Sequence, residues 1–287
     1  MAQLRNPELE LVPASSSIGA EVLGVNLASP LTESIYKKIR NSLCEWGVLF
    51  FKKQNLTPED HVRLGRYFGE LHVSKTITKV KGHPLIAEVR KEPQQKRNIG
   101  GNWHSDHSFA SEPPLGSILV ARELPKIGGD TLFTNMSCAF EKLSWGMQET
   151  LRSLNAVHAK KNALDPKNLS LDRQLNETEL QSIGSAAEEF SKHPAVIRHP
   201  ETGREVLYIN PTYTVRFDGW SEEESKPLLK FLYDEATKPE NTYRFRWEDG
   251  SVVFWDNRTV WHYALNDYQG DRRLLHRVSI KGSKPKH

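Results

Sequence analysis

The sequence predicts a mainly β fold with helices packed against its outside. From about residue 85 onward, short β-type runs follow one another with turn-forming residues between them. Two of these turns, Glu201-Thr202-Gly203 and Glu248-Asp249-Gly250, have the composition of hairpin connections. Many short strands joined by turns are typical of a sandwich or barrel. We therefore expect a β-sandwich, with strands at 48–53, 85–90, 103–109, 117–122, 131–134, 195–198, 205–209, 243–247, 251–256, 259–264 and 274–280.

Helices are predicted at four places outside this pattern. Residues 32–46 carry apolar side chains at spacings of three and four. Thr57 followed by Pro58 indicates a helix start, and that helix extends toward residue 68. Residues 137–153 have helical spacing, and Ser221 with Glu224 forms a capping box that begins a helix reaching about residue 237.

Composition excludes several classes of protein. The 287 residues are 37% hydrophobic, enough for a sizeable core, and their number fits one large domain or two small ones. The net charge of +3 is weak for nucleic-acid binding, and no apolar run approaches the roughly 20 residues of a membrane span. Two cysteines and a polar N-terminus favour a reduced, cytoplasmic protein that binds neither nucleic acid nor membrane. Residues 160–192 are polar and lack periodicity, as a lid or insertion would.

The first candidate for chemistry is Trp103-His104-Ser105-Asp106. Residues two apart in a strand point to the same face, so His104 and Asp106 can converge on one point. The pair can serve as an acid–base pair or as two thirds of a metal site. A buried histidine hydrogen-bonded to its neighbour explains the same four residues.

The C-terminal region adds a third ligand type and two arginines. His262 lies in an aromatic strand, and Arg273 and Arg277 alternate with apolar residues on the next strand. A buried arginine is costly without an anionic partner, and that strand supplies no carboxylate, so a ligand carboxylate is the simplest partner. Two histidines and one aspartate are the ligand set of non-haem Fe(II) oxygenases, and an arginine suits a dicarboxylate co-substrate.

Over nearly its whole length the sequence resembles the TauD/TfdA family of Fe(II)- and 2-oxoglutarate-dependent dioxygenases. The motifs that carry the resemblance are Ile18-Gly19-Ala20-Glu21-Val22, Gly24-Val25-Asn26-Leu27, Phe68-Gly69-Glu70-Leu71-His72, Asn102-Trp103-His104-Ser105-Asp106, Gly128-Gly129-Asp130-Thr131, Trp255-Asp256-Asn257-Arg258, His262-Tyr263-Ala264 and Arg273 to Arg277. The resemblance implies a double-stranded β-helix (jelly-roll) core with helical insertions. It also implies oxidation of a small anionic organic substrate with Fe(II), 2-oxoglutarate and O2, releasing succinate and CO2. Members of the family often form dimers or tetramers, so we expect a homo-oligomer.

The resemblance also implies roles for individual residues. Iron would be held by His104, Asp106 and His262. Thr131 and Arg273 would hold the distal carboxylate of 2-oxoglutarate. Arg277 would contact an anionic group of the primary substrate.

Three positions separate this chain from the taurine-specific members of the family. Those members carry a histidine, a tyrosine and an asparagine where this sequence has Ser74, Ile77 and Gly100. Taurine is therefore not the expected substrate. A substrate pocket lined by Gly100 is more similar to the pockets of members that act on aryloxyalkanoates or sulfate esters. Sulfonates and amino-acid-like carboxylates are further candidate substrates, because they are also small organic anions. Hydroxylation at a carbon bearing a leaving group would cleave the substrate.

Two other functions use the same residues. A zinc hydrolase with the same triad would act without oxygen or 2-oxoglutarate and would leave Thr131 and Arg273 unexplained. A non-catalytic jelly-roll sensor would bind 2-oxoglutarate without turnover. Of the remaining histidines, His72 is a candidate for the substrate entrance, whereas His107 is expected to point away from His104 and to be structural.

Overall fold

The computed structural model describes residues 9–73, 77–160 and 190–287. Ser74 and most of the predicted lid or insertion at 160–192 lie outside the described residues. The α-helices are α1 Glu33–Trp46, α2 Pro58–Phe68, α3 Met136–Glu141, α4 Trp145–Arg152 and α5 Glu222–Ala236. The strands are β1 Glu10–Pro13, β2 Ala20–Leu23, β3 Val48–Phe51, β4 Leu71–His72, β5 Lys79–Val80, β6 His83–Lys91, β7 Gly116–Glu123, β8 Thr131–Asn135, β9 Asn155–Ala159, β10 Phe190–Pro194, β11 Val196–Arg198, β12 Glu205–Leu207, β13 Thr214–Phe217, β14 Thr242–Phe245, β15 Val252–Asp256, β16 Val260–Ala264 and β17 Arg273–Ile280.

The helix starts follow from their capping residues. Thr57 accepts a hydrogen bond from the Asp60 amide, and Asp60 returns one to the Thr57 amide, which completes a capping box. Ser221 and Glu224 make the same reciprocal pair at the start of α5. These bonds satisfy amides that the first helical turn would otherwise leave unpaired.

Two sheets face each other across an apolar core. The larger has nine strands, in the order β1-β2-β3-β15-β7-β17-β6-β5, with β4 paired to β17. A smaller sheet has the order β14-β8-β16. Phe50, Trp255 and Leu275 of the large sheet pack in one cluster with Phe133 and Phe245 of the small one. The predicted jelly-roll core with helices outside it is confirmed, and α1 and α2 pack on the outer side of the large sheet with a second apolar cluster.

Three local predictions were wrong. Residues 103–109 do not form a strand: His104 makes one isolated bridge to His262, and turns follow at once. The helix predicted at 137–153 is two helices, because the chain turns at Leu143 and restarts with Ser144 as the N-cap of α4. The turn at 248–250 exists, but it carries the chain from the small sheet to the large one instead of closing a hairpin.

Seven of the described strands were not predicted, namely β1, β2, β4, β5, β9, β10 and β13. β10 begins at Phe190 and pairs antiparallel with β9, so the C-terminal end of the predicted 160–192 segment is sheet. The other predicted hairpin, at 201–203, joins β11 to β12 as expected. Among the described residues, no helix has both the length and the apolar character needed to cross a membrane.

Candidate active site

Two histidines and one aspartate converge at the β16 edge of the small sheet. One ligand-type atom from each of His104, Asp106 and His262 lies within 4.8 Å of the others, and all three residues are buried. The Nε2 atoms of His104 and His262 are 3.8 and 4.0 Å from Oδ1 of Asp106. The imidazole rings are 4.1 Å apart between centroids. The structure therefore brings together the three residues that the sequence singled out.

The reason for this convergence differs from the predicted strand. The backbones of His104 and His262 exchange hydrogen bonds at 3.1 and 2.8 Å, which places the two rings side by side. Asp106 is then positioned by the Asn257 side chain, whose Oδ1 accepts from the Asp106 amide at 2.5 Å and whose Nδ2 donates to the Asp106 carbonyl at 2.8 Å. An amide side chain thus takes the place of a neighbouring strand, and the backbone turns away at His107, where φ is +50°.

The protonation states of these three side chains are those that bind a cation. Burial would raise the pKa of Asp106, but Arg277 and the two imidazoles hold the pKa well below its ordinary value, so the carboxylate is ionised. Burial lowers the pKa of His104 and of His262, so both rings are neutral at physiological pH. Metal binding needs these protonation states, since a neutral imidazole and a carboxylate each offer a lone pair.

Hydrogen bonding at His104 also fits a metal ligand. Its Nδ1 lies 2.7 Å from the Asn102 carbonyl, so Nδ1 carries the proton and Nε2 keeps its lone pair toward Asp106. Metal-binding histidines usually donate their other ring nitrogen in this way. Trp255 packs on the His262 ring at 4.5 Å between centroids, which limits how that ring can turn.

Arg273 is a buried cation with unsatisfied donors. The residue is 3% exposed, and among the described residues its Nε and Nη2 have no hydrogen-bond partner. Gly129, at φ +71°, permits this position, because a Cβ there would lie 3.1 Å from Cδ and Nε of Arg273. Thr131 is beside it, with its Oγ1 accepting from the Trp247 indole at 2.9 Å and its own hydroxyl proton left to donate. Such donors fit a carboxylate.

Arg277 occupies the same face of β17 and has a protein partner. Its Nη1 donates to Oδ1 of Asp106 at 3.1 Å. The expectation that a ligand anion alone balances this arginine was therefore wrong, because the carboxylate comes from a distant turn and not from its own strand. Nε of Arg277 has no partner within the described part of the chain.

One narrow cavity joins these groups. It is lined by both histidines and both arginines together with Val89, Ile99, Gly100, Leu119, Thr131, Phe133, Trp247, Trp255, Ala264 and Leu275. Gly100 lies against the first histidine, since a Cβ there would be 3.3 Å from Cε1 of His104. Ile77 does not line this cavity. Trp247 was predicted only as the last residue of the strand at 243–247 and was given no role at the site.

His107 and His72 lie near each other beyond Asp106. Their rings are 5.8 Å apart, and Phe109 packs on His107 at 5.4 Å. The alternation argument for His107 fails because the segment is a turn with a left-handed residue. Burial lowers the pKa of His107 to about 4, so its ring is neutral.

A second group of ligand-type side chains lies elsewhere. Cys44, His199 and Asp256 also place one ligand-type atom each within 4.8 Å of the others. His199 donates from Nε2 to Asp256 at 3.0 Å and accepts at Nδ1 from the amides of Glu201 and Thr202. Burial and nearby carboxylates raise the pKa of Cys44 to about 12, which keeps the thiol protonated.

Comparison with known proteins agrees with this geometry. The family described as "Taurine catabolism dioxygenase TauD, TfdA family" matches residues 10–279. The alkylsulfatase of Acinetobacter baylyi is 34% identical over 285 residues, which cover 97% of this chain and 87% of that protein. The alpha-ketoglutarate-dependent sulfate ester dioxygenase of Pseudomonas putida is 31% identical, covering 97% and 91%. A taurine dioxygenase of Burkholderia xenovorans has a solved structure that superposes with a TM-score of 0.80 at 36% identity, covering 97% of this chain and 93% of that one.

Proposed function

The chain belongs to the TauD/TfdA family and is an Fe(II)- and 2-oxoglutarate-dependent dioxygenase, and on that premise we propose that it oxidises a short organosulfate ester and thereby cleaves it. The observation that carries the proposal is the pair of buried arginines on one face of β17, both of which line the cavity together with His104 and His262. Two separate cationic positions suit two anions, the co-substrate and the substrate.

In this proposal His104, Asp106 and His262 hold the iron. The neutral rings and the ionised carboxylate supply three ligands, and Asn257 and the His104–His262 backbone bonds keep them in place. With 2-oxoglutarate and O2, the bound iron supplies an oxidant strong enough to hydroxylate an unactivated C–H bond.

Arg273 and Thr131 bind the distal carboxylate of 2-oxoglutarate. The partnerless Nε and Nη2 of Arg273 match the two oxygens of a carboxylate, and the Thr131 hydroxyl adds a third donor. Pairing would also remove the cost of an uncompensated buried charge. The zinc-hydrolase alternative gives these groups no role.

Arg277 binds the sulfate group of the substrate. Its Nη1 is committed to Asp106, and Nε remains to donate to a sulfate oxygen. Gly100 beside His104 leaves room for an alkyl chain next to the metal ligands. Two relatives that the chain matches over 97% of its length are named for sulfate ester chemistry, which is why we place esters ahead of sulfonates, aryloxyalkanoates and amino-acid-like carboxylates.

The proposed reaction balances without an added reductant. One oxygen atom enters succinate as 2-oxoglutarate loses CO2, and the other becomes a hydroxyl on the carbon that bears the sulfate. That carbon then loses its C–O bond to sulfate while the hydroxyl loses its proton. The products are an aldehyde, sulfate and a proton, with succinate and CO2.

The test is product analysis with hexyl sulfate, hexanesulfonate, phenoxyacetate and taurine, in the presence of Fe(II), 2-oxoglutarate, ascorbate and O2. We expect hexyl sulfate to give hexanal, sulfate and succinate in equal amounts, and only with oxygen. Hexanol and sulfate formed without oxygen would identify the metal hydrolase instead. Binding of 2-oxoglutarate with no succinate from any compound would identify a sensor.

We further infer one catalytic domain over 1–287, working in the cytoplasm as a homodimer or homotetramer. Strands from both ends of the chain, β1 and β17, belong to the same large sheet, which supports a single domain. Both cysteines are free, as in a reducing compartment. The oligomeric state rests on the family resemblance, and light scattering after gel filtration would measure it.

A further inference from the structure

A buried hydrogen-bond network lies directly beneath the turn that carries Asp106. The hydroxyls of Ser105 and Ser108 both accept from Nδ2 of Asn210, at 3.3 and 2.8 Å. The Ser108 hydroxyl also lies 3.0 Å from Nδ1 of His158. Ser108, Asn210 and His158 have no solvent exposure, and Ser105 is 4% exposed. None of these residues lines the cavity, so the proposed reaction leaves the network without a role.

The Asn210 side chain fixes the direction of two hydrogen bonds in the network. Its Nδ2 can only donate, so the hydroxyls of Ser105 and Ser108 accept from it. His158 is neutral, because burial lowers its pKa to about 3, and its Nδ1 lies within hydrogen-bonding distance of the Ser108 and Thr214 hydroxyls. A fixed direction means that the turn has one preferred arrangement.

Asn210 is itself rigidly held from the other side. Its Oδ1 accepts from the Tyr213 amide at 2.9 Å, and its carbonyl accepts from the Tyr233 hydroxyl of α5 at 3.1 Å. The backbone amide of Asn210 donates to Oγ1 of Thr214 at 2.8 Å. The network therefore ties the 105–108 turn to β13 and α5, whereas Asn257 ties the same turn to the end of β15.

We propose that Asn210, Ser108 and His158 are positioning residues, which set the orientation of Asp106 and His104 toward the metal through the 105–108 turn that follows His104 and carries Asp106. The inference rests on the proposed metal site. Groups that orient metal ligands through hydrogen bonds typically change metal affinity by about 10- to 100-fold when removed. A network that served the fold alone would change stability and leave affinity unaltered.

The experiment is a Mn(II) titration of the folded protein by calorimetry, at a temperature well below each variant's midpoint of unfolding. Ser108→Ala removes the hydroxyl, and Ser108→Thr keeps it. We expect the Mn(II) dissociation constant to rise about 10-fold or more in Ser108→Ala and Asn210→Ala, and to return toward wild type in Ser108→Thr. Asn241→Ala is the matched control, because Asn241 is equally buried and bonds to the Glu235 carbonyl at the end of α5.

Each outcome decides the matter. Equal Mn(II) affinity in wild type, Ser108→Ala and Asn241→Ala would overturn the proposal, even if all variants lose stability. A wild type that does not bind Mn(II) would instead refute the metal site itself. If Ser108→Ala does not fold, Ser105→Ala takes its place. Its hydrogen bond is longer, so we expect a rise of about twofold to tenfold, and no rise would contradict the proposal.

Discussion

Two groups of ligand-type side chains in this molecule have nearly the same composition and opposite chemistry. His104 and His262 line a cavity, and their Nε2 atoms lie 3.8 and 4.0 Å from a carboxylate oxygen of Asp106. Cys44, His199 and Asp256 are equally close together. Proximity alone would rank the two groups as equal metal-site candidates.

The difference lies in what the lone pairs already do. Both nitrogens of His199 are hydrogen-bonded. The carboxylates do not differ in this respect, because Asp106 accepts from Arg277 and Ser117 as Asp256 accepts from Arg258 and His199. At the first group the Nε2 atom of His104 keeps its lone pair. A metal site is thus recognised by histidine nitrogens whose lone pairs are not used in hydrogen bonds. The second group, in which both nitrogens of the histidine are hydrogen-bonded, stabilises the fold instead.

The largest expected effect is loss of metal binding in His104→Ala. Removing one of three ligands should lower Mn(II) affinity by more than the roughly 100-fold known for groups that only orient ligands. Calorimetric titration measures this directly. His199→Gln, which alters the other group, should bind Mn(II) with wild-type affinity and a stoichiometry of one. If the wild type binds a second Mn(II) ion and His199→Gln does not, both groups bind metal and the proposed difference between them is wrong.

Asp256→Asn should destabilise the fold and leave metal binding intact. The substitution removes the buried carboxylate partner of Arg258, which keeps its pair with Glu201, and losing hydrogen bonds to a charged group costs about 1.5–3 kcal/mol. Urea denaturation would measure the change in the free energy of unfolding. The exposed Asp249→Asn is the control, and an equal loss of stability there would show that the pairing is unimportant.

Arg273→Leu should weaken 2-oxoglutarate binding by about 30-fold or more, the equivalent of roughly 2 kcal/mol for a buried charge-assisted pair. Fluorescence or calorimetric titration with 2-oxoglutarate gives the dissociation constant. Arg272 immediately precedes β17 and pairs with Glu92 and Glu123. Arg272→Leu should bind 2-oxoglutarate like wild type, and similar weakening in both variants would contradict the assignment.

The smallest effect concerns a histidine outside both groups. His61 is fully buried, and burial lowers its pKa from 6.5 to about 3. Between these values the unfolded chain binds a proton that the folded chain does not, so stability falls as the pH drops below about 6.5. One such group contributes a slope of at most about 1.4 kcal/mol per pH unit. In His61→Leu the slope of unfolding free energy between pH 4.5 and 6 should be shallower by up to that amount, and an unchanged slope would refute it.

The sequence predicted correctly those elements that are determined by neighbouring residues, such as helix caps and alternating strands. The capping residues Thr57 and Ser221 begin helices where predicted, and the alternation of Arg273 and Arg277 placed both on one buried face. The route to the site was less predictable. His104 and Asp106 meet because Asn257, about 150 residues later, replaces a strand partner, and no local pattern encodes that contact.

The same limit explains the other misses. Arg277 pairs with Asp106 across 171 residues, so searching its own strand for a carboxylate could not find the partner. β9, β10 and β13 form a small separate sheet whose strands contain His158, Lys192 and Arg216, which interrupt the apolar alternation expected of a strand. The structure of these regions is determined by hydrogen bonds between residues far apart in sequence, which the periodicity of the sequence does not reveal.

The central claim is that one of two similar groups is the catalytic metal site. Oxygen-dependent succinate formation from 2-oxoglutarate with hexyl sulfate should be measured side by side in wild type, His104→Ala and Cys44→Ser. Wild type and Cys44→Ser should release succinate and sulfate in equal amounts at similar rates, and His104→Ala should release neither. Turnover that survives in His104→Ala, or that disappears in a folded Cys44→Ser, would contradict the account.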